Sequence, residues 1–129
     1  MLVSKPDGSS RLVVDYRKLN KMTKDDSYPI PQIDDCIGKV GKAKYVSKFD
    51  LLKGYWQILL SERAKERSAL VVHSGIYVFR VLPYGMKNSA ATFQQVMNEV
   101  IVGLKGCEMC IADAVVYSDT WDEHVERIF

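Results

Sequence analysis

The run Tyr45-Val46-Ser47-Lys48-Phe49-Asp50-Leu51-Leu52-Lys53-Gly54-Tyr55-Trp56-Gln57-Ile58 decides how this chain is read. Lys44–Asp50 alternates enough to predict a strand, and that strand ends on a carboxylate in an apolar setting. Beyond it, Tyr55–Leu60 and Ser68–Val72 are rich in strand-favouring residues, and Ser74-Gly75 turns the second of these into Ile76–Val81. Upstream, Gln32–Val40 predicts a short helix with Ile33, Ile37 and Val40 on one face. Tyr28-Pro29-Ile30-Pro31 before it is extended, because each proline disfavours helix in the residue preceding it. Nearer the start, Leu2–Ser4 and Arg11–Asp15 flank a Pro6-Asp7-Gly8 turn signal and read as a hairpin. Downstream, Phe93, Val96, Met97, Val100, Ile101 and Leu104 recur at helical spacing and predict a helix over Asn88–Leu104, with Gly106 near its stop. Met109–Ile111 and Val115–Tyr117 then flank Ala112-Asp113-Ala114, two strands around a tight turn. Thr120 caps a last helix, with Glu123 as its capping-box partner and His124 expected on the exposed face. From residue 32 the order is helix, four strands, helix, two strands, helix. That is α+β with hairpins, not a repeating βαβ wheel.

The chain has 129 residues, 47% hydrophobic and 26% charged, the composition of a globular domain and not of a disordered segment. No apolar run approaches the roughly 18 residues that a membrane span needs. Charged residues interrupt any leader-like stretch at Lys5, Asp7 and Arg11, so an intracellular setting, cytoplasmic or nuclear and not secreted, is expected. Three cysteines are an odd count, which argues against a disulfide scaffold and for reduced thiols. Cys107-Glu108-Met109-Cys110 is a C-x-x-C, but Cys36, His73 and His124 do not complete a zinc pattern at finger spacing. Residues 1–53 hold 11 Lys/Arg against 7 Asp/Glu, and residues 54–129 hold 7 against 9. The mildly basic first half reads either as a phosphate-facing surface or as ordinary solvated charge.

Asp50 and Asp113 both sit at strand edges among apolar neighbours. A carboxylate there is costly unless it is paired or metal-bound. Carboxylates from separate strands that converge on one point can hold Mg²⁺, and two ions held so can clamp both oxygens of a phosphoryl transfer. From spacing alone, two ordinary strand-end aspartates are the stronger reading.

Several further words narrow the choice. Val13-Val14-Asp15-Tyr16-Arg17-Lys18-Leu19-Asn20 resembles the fingers segment of retroelement reverse transcriptases, and Tyr28-Pro29-Ile30-Pro31 the proline-marked segment that follows in gypsy-class LTR retrotransposons. Ser47 to Ile58 resembles their motif A, and Leu82-Pro83-Tyr84-Gly85-Met86-Lys87-Asn88-Ser89-Ala90-Ala91-Thr92-Phe93 their motif B. Val115 to His124 resembles the stretch after motif C. The resemblance covers nearly the whole chain, in order and spacing. It implies a partial polymerase palm, an antiparallel sheet backed by helices, with a fingers hairpin. Residues 1–31 would be a fingers segment, and 32–129 mainly palm with an inserted fingers hairpin near 68–81. It implies RNA-directed DNA polymerisation, with Mg²⁺, deoxynucleoside triphosphates and an RNA/DNA primer–template as ligands.

Residue by residue, the resemblance makes Asp50 and Asp113 the catalytic metal ligands. It makes Lys5 and Arg11 the groups that reach the triphosphate, where positive charge neutralises phosphate. Tyr55 would be the gate that excludes a 2′-hydroxyl, since a bulky ring clashes with one extra oxygen. Tyr84 and Gly85 would line the nucleotide pocket, and Phe93 would pack the palm core. Without the resemblance, Lys5 and Arg11 read as exposed hairpin charges and Tyr55 as core.

Motif C departs from the family's pattern. The family carries an aromatic, a variable residue and two adjacent aspartates; here the aligned residues are Cys110-Ile111-Ala112-Asp113, followed by Ala114. A methyl group cannot coordinate Mg²⁺. Losing such a ligand costs on the order of a thousandfold or more in rate, so polymerisation is expected to be effectively absent. Motif B also has Ala90 where proline is usual, a smaller change at a helix start. The chain opens at the first fingers hairpin and closes just inside the helix after motif C, so the thumb, connection and ribonuclease H regions are expected to be missing, a second expectation against catalysis. The alternative to an enzyme is a non-catalytic remnant that binds nucleic acid, or one that binds a partner through uncovered palm surface.

Overall fold

A computed structural model describes every residue except 1, 5, 7, 32, 111 and 112; the side chains of Leu2, Arg11, Ile33 and Cys110 are also outside the described set. The described chain divides into two compact units, residues 1–26 with 55–89 and residues 27–54 with 90–129.

The second unit is built on a three-stranded antiparallel sheet. It contains β3 (Tyr45–Asp50), β6 (Cys107–Cys110) and β7 (Asp113–Ser118), with β7 in the centre. Side chains alternate across the sheet. On one face Met109, Val116 and Ser118 are buried, each under a tenth exposed. On the other face Val46, Lys48 and Asp50 are exposed. Helices α4 (Ser89–Ile101) and α5 (Trp121–Ile128) supply the buried side with Phe93, Gln94 and His124. Burying Gln94 requires partners, and it has them: Nε2 donates to the Met109 carbonyl at 3.3 Å and to Asn98 Oδ1 at 2.8 Å. Asn98 Nδ2 in turn donates to Tyr28 Oη at 2.8 Å, which ties the extended stretch before α2 (Ile33–Val40) to α4. Thr120 caps α5 as expected, its side chain accepting from the Glu123 N–H.

The first unit holds two hairpins, β1 (Leu2–Ser4) with β2 (Ser10–Leu12) and β4 (Leu70–Val72) with β5 (Gly75–Tyr77). It also holds the short helices α1 (Arg17–Met22) and α3 (Glu62–Arg67). Tyr16, Leu60, Ser68, Leu82 and Pro83 form its interior.

The structure corrects the sequence expectations at several points. Neither α1 nor α3 was expected: each is six residues long, too short to show a helical period, and α3 rests on the Ser61 cap. Tyr55–Leu60 is not a strand but a 3-10 turn over Gly54–Gln57 followed by a single bridge from Leu59 to Val81. Helix α4 ends at Ile101, short of Leu104, with Gly103 in the left-handed conformation just beyond. Ile37 is 60% exposed, and the buried side of α2 runs through Cys36 instead. Cys107 is a free thiol. His124 is 3% exposed and belongs to the core. Among the described residues no helix is long and apolar enough to cross a membrane.

Candidate active site

Asp50 and Asp113 are cross-strand partners: the β3–β7 register places them directly opposite each other. Residues so placed project to the same face, so two carboxylates stand side by side. The same register sets Lys48 opposite Val115, one diagonal step from Asp113. Lys48 Nζ meets Asp113 Oδ2 at 2.8 Å. The Lys48 ammonium is pushed up in pKa, first by this hydrogen bond and the charge of Asp113, and further by the charge of Asp50. Lys48 therefore feels both carboxylates.

The backbone leaves Asp50 through a tight turn, in which the Gly54 N–H donates to the Leu51 carbonyl at 3.1 Å. Lys53 adopts φ 54°, a left-handed conformation that costs a non-glycine residue about 1–2 kcal/mol. Gly54 then lies against the wholly buried ring of Phe93, where a Cβ would come within 2.9 Å of Cζ.

In the other unit, the rings of Tyr55 and Tyr84 meet with centroids 5.1 Å apart, and Trp56 lies 6.1 Å from Tyr84. Burial, with a smaller contribution from Tyr84, raises the pKa of the Tyr55 hydroxyl. Gly85 adopts φ 93°, a conformation that glycine reaches without strain, and a Cβ there would sit 3.4 Å from the Val14 carbonyl. The loop around it is braced by α1: Asn20 Nδ2 donates to the Gly85 carbonyl at 2.8 Å, and Asn20 Oδ1 accepts from the Lys87 N–H at 2.9 Å. Asn88 adds a bond to the Lys24 carbonyl at 2.9 Å.

The expected site residues thus fall into two groups. Asp50 and Asp113 pair in one unit; Tyr55, Tyr84 and Gly85 lie in the other. Lys5 and the side chain of Arg11 are outside the described residues. Two further residues carry geometry that sequence reasoning did not assign, Lys48 and Asn20. The signal for Lys48 was its position two residues before Asp50 in a strand, which puts both on one face.

The donor set does not fit a two-ion clamp. Among the described residues no group of three or more Asp, Glu, His or Cys side chains is placed to hold a metal ion. Of the two paired carboxylates, Asp113 is already engaged by an ammonium. A groove of about 770 Å³ in the same unit is lined by Asp34, Asp35, Lys39, Asn98 and Glu108 among others, and includes neither Asp50 nor Asp113.

An antiparallel sheet with paired strand-end aspartates, backed by helices, is the plan of a polymerase palm. The family model for reverse transcriptase (RNA-dependent DNA polymerase) matches residues 3–128, and the chain belongs to that family. It is 40% identical, across an alignment of 130 positions that covers 96% of the chain, to the retrovirus-related Pol polyprotein from transposon 297 of Drosophila melanogaster. It is 37% identical, across an alignment of 123 positions that covers 93% of the chain, to the corresponding polyprotein from transposon gypsy of the same organism. The chain spans 12% of the length of each of these relatives. Among solved structures it superposes, with a TM-score of 0.90 and 26% identity over 98% of the chain, on 22% of a foamy viral protease–reverse transcriptase in complex with double-stranded DNA. The fold is therefore a partial polymerase palm with a fingers hairpin, and the expected kinship with gypsy-class reverse transcriptases holds.

Proposed function

We propose that this chain is a reverse transcriptase domain region that binds a primer–template but has lost the two-metal chemistry of its family. In this reading Asp50 and Asp113 are what remains of the metal site. Tyr55 gates the sugar, Tyr84 and Gly85 line the nucleotide pocket, and Lys5 and Arg11 face the triphosphate of an incoming deoxynucleotide. Residues 1–31 and the hairpin near 68–81 act as fingers, and the rest mainly as palm; the division into two compact units supports a split of this kind. Mg²⁺ is the cation that the family's chemistry would use.

The observation that carries the loss is at motif C. Ala112 stands where the family has its first aspartate, and Asp113, its surviving neighbour, is ion-paired to Lys48. Nucleic-acid binding is supported by the related foamy viral enzyme, which was solved on double-stranded DNA.

The test is a thermal melt of the purified chain at low salt, with and without an RNA–DNA hybrid, alongside primer extension with Mg²⁺. Low salt matters because phosphate contacts weaken steeply as salt rises. A cooperative transition that moves up with the hybrid is expected, since a ligand that prefers the native state stabilises it. No extension is expected. A melt indifferent to the hybrid removes the binding half of the reading, and extension at rates near those of intact relatives removes the other half.

A further inference from the structure

We propose that Lys48 is a built-in counter-ion for the aspartate pair: its ammonium stabilises Asp50 and Asp113 side by side without a divalent cation, and opposes the entry of one. The inference rests on the preceding reading only in taking this pair as the place where the family's cation would sit.

The register itself creates the need. Asp50 and Asp113 are direct cross-strand partners, and like charges in that position destabilise the pairing of strands. Something positive must offset them on the same face. Lys48 is the one residue of β3 and β7 with a cationic side chain. Strand alternation puts it on the face of Asp50, and the diagonal step puts Nζ at 2.8 Å from Asp113 Oδ2. Asp50 adds to the attraction without forming the contact. A divalent ion bound by both carboxylates would have to displace this ammonium from Asp113 Oδ2 or sit beside it against direct charge repulsion. Because Lys48 is 62% exposed, displacement is possible, so the prediction is weakened cation affinity and not complete exclusion.

The experiment compares the wild-type chain with Lys48→Met and Lys48→Arg by Mn²⁺ titration, read from paramagnetic broadening of the Asp50 and Asp113 amide resonances, and by melts at low salt without divalent ions. Lys48→Met should bind Mn²⁺ at least about tenfold more tightly than wild type. It should also melt lower without the ion and recover part of the loss when Mn²⁺ is added. Lys48→Arg should resemble wild type in both. Adding Asp50→Asn to Lys48→Met should abolish the gain. Equal Mn²⁺ affinity in wild type and Lys48→Met overturns the proposal. If Lys48→Met does not fold, the double variant Lys48→Met with Asp113→Asn removes one charge of each sign and should fold; its failure to fold also overturns the proposal. None of these readouts involves nucleic acid, so a failure of hybrid binding and a failure of the counter-ion role are told apart.

Discussion

His124 Nε2 and Ser47 Oγ lie 2.9 Å apart, joining helix α5 to strand β3 inside the sheet-and-helix unit. The imidazole is 3% exposed and lies near the rings of Tyr45 and Trp121. Its Nδ1 finds no hydrogen-bond partner among the described residues, so the Ser47 contact is what satisfies the ring. Ser47→Ala strands a second buried nitrogen and should cost about 1–3 kcal/mol in urea denaturation. In a His124→Leu background the same change should cost far less, because both polar partners are then gone. Equal costs in the two backgrounds would show that the pair is not coupled.

Tyr16 offers a second buried bond with a pH signature. Its hydroxyl donates to the Ser68 carbonyl at 3.0 Å, while Ser68 Oγ accepts from the Phe79 N–H at 2.8 Å and donates to the Lys65 carbonyl at 2.6 Å. Tyr16→Phe should therefore cost about 1–2 kcal/mol, measured as a lowered urea midpoint at unchanged slope. Burial pushes the Tyr16 hydroxyl from 10.0 up to about 12. The folded value is raised, so this contribution is complete below pH 10 and is lost as pH rises through about 12. Ultraviolet titration of tyrosinate should show late-ionising tyrosines, of which one disappears in Tyr16→Phe while that of Tyr55 stays.

Asp15 moves the other way. Arg17 Nε meets both of its carboxylate oxygens at 2.9 and 3.0 Å, and Nη2 reaches Oδ2 at 2.6 Å. The side-chain hydrogen bonds of Arg17, followed by its backbone N–H, hold the carboxyl down at about 2 from 3.8. A depressed acid stabilises the fold above its unfolded value, and the contribution is lost as pH falls through about 2. The pair is solvent-exposed, so the expected readout is a carboxyl titration by NMR and not a melt. Arg17→Ala should raise the Asp15 midpoint part of the way back toward 3.8, since the backbone N–H at position 17 is kept; an unchanged midpoint would remove the Arg17 side chain as the cause.

How much of this was legible in the sequence follows from the length of each signal. The strand ending at Asp50 and helix α4 rest on patterns long enough to show a period, and each is present, whereas Asp113, read in the sequence as part of a turn between two strands, opens strand β7. Helices α1 and α3 are about two turns at most and could not announce themselves that way. His124 was misread because it was judged by polarity. It is buried where it meets strand β3, with Nε2 at 2.9 Å from Ser47 Oγ, and no local pattern in the sequence encodes that long-range contact. Lys48 was hidden for a similar reason. Its tie to Asp113 is a diagonal across two strands 65 positions apart in the chain, and no local pattern encodes the register.

Gly54 tests the packing that follows Asp50. A Cβ there would meet Phe93 Cζ at 2.9 Å and Cε2 at 3.1 Å, and the Phe93 ring is fully buried. Gly54→Ala should destabilise the chain by about 1–3 kcal/mol through overpacking. Pairing it with Phe93→Leu should cost less than the sum of the two single changes, because the smaller side chain clears the clash. Strict additivity in urea denaturation would mean that the glycine is not there to admit the ring.

Ala112→Asp tests the assignment of the metal site itself. It supplies the carboxylate that the family carries next to Asp113, on the stretch that joins β6 to β7. With three carboxylates available, the site gains an oxygen donor and enough negative charge to outweigh the Lys48 ammonium. Mn²⁺ or Mg²⁺ affinity should rise by at least about tenfold, whether or not primer extension returns. Combining it with Lys48→Met should tighten binding further, since the two changes act on the same ion from opposite sides of the charge balance. Divalent affinity that stays flat in Ala112→Asp would mean that Asp50 and Asp113, although opposite each other in the sheet, are not the remnant of a cation site.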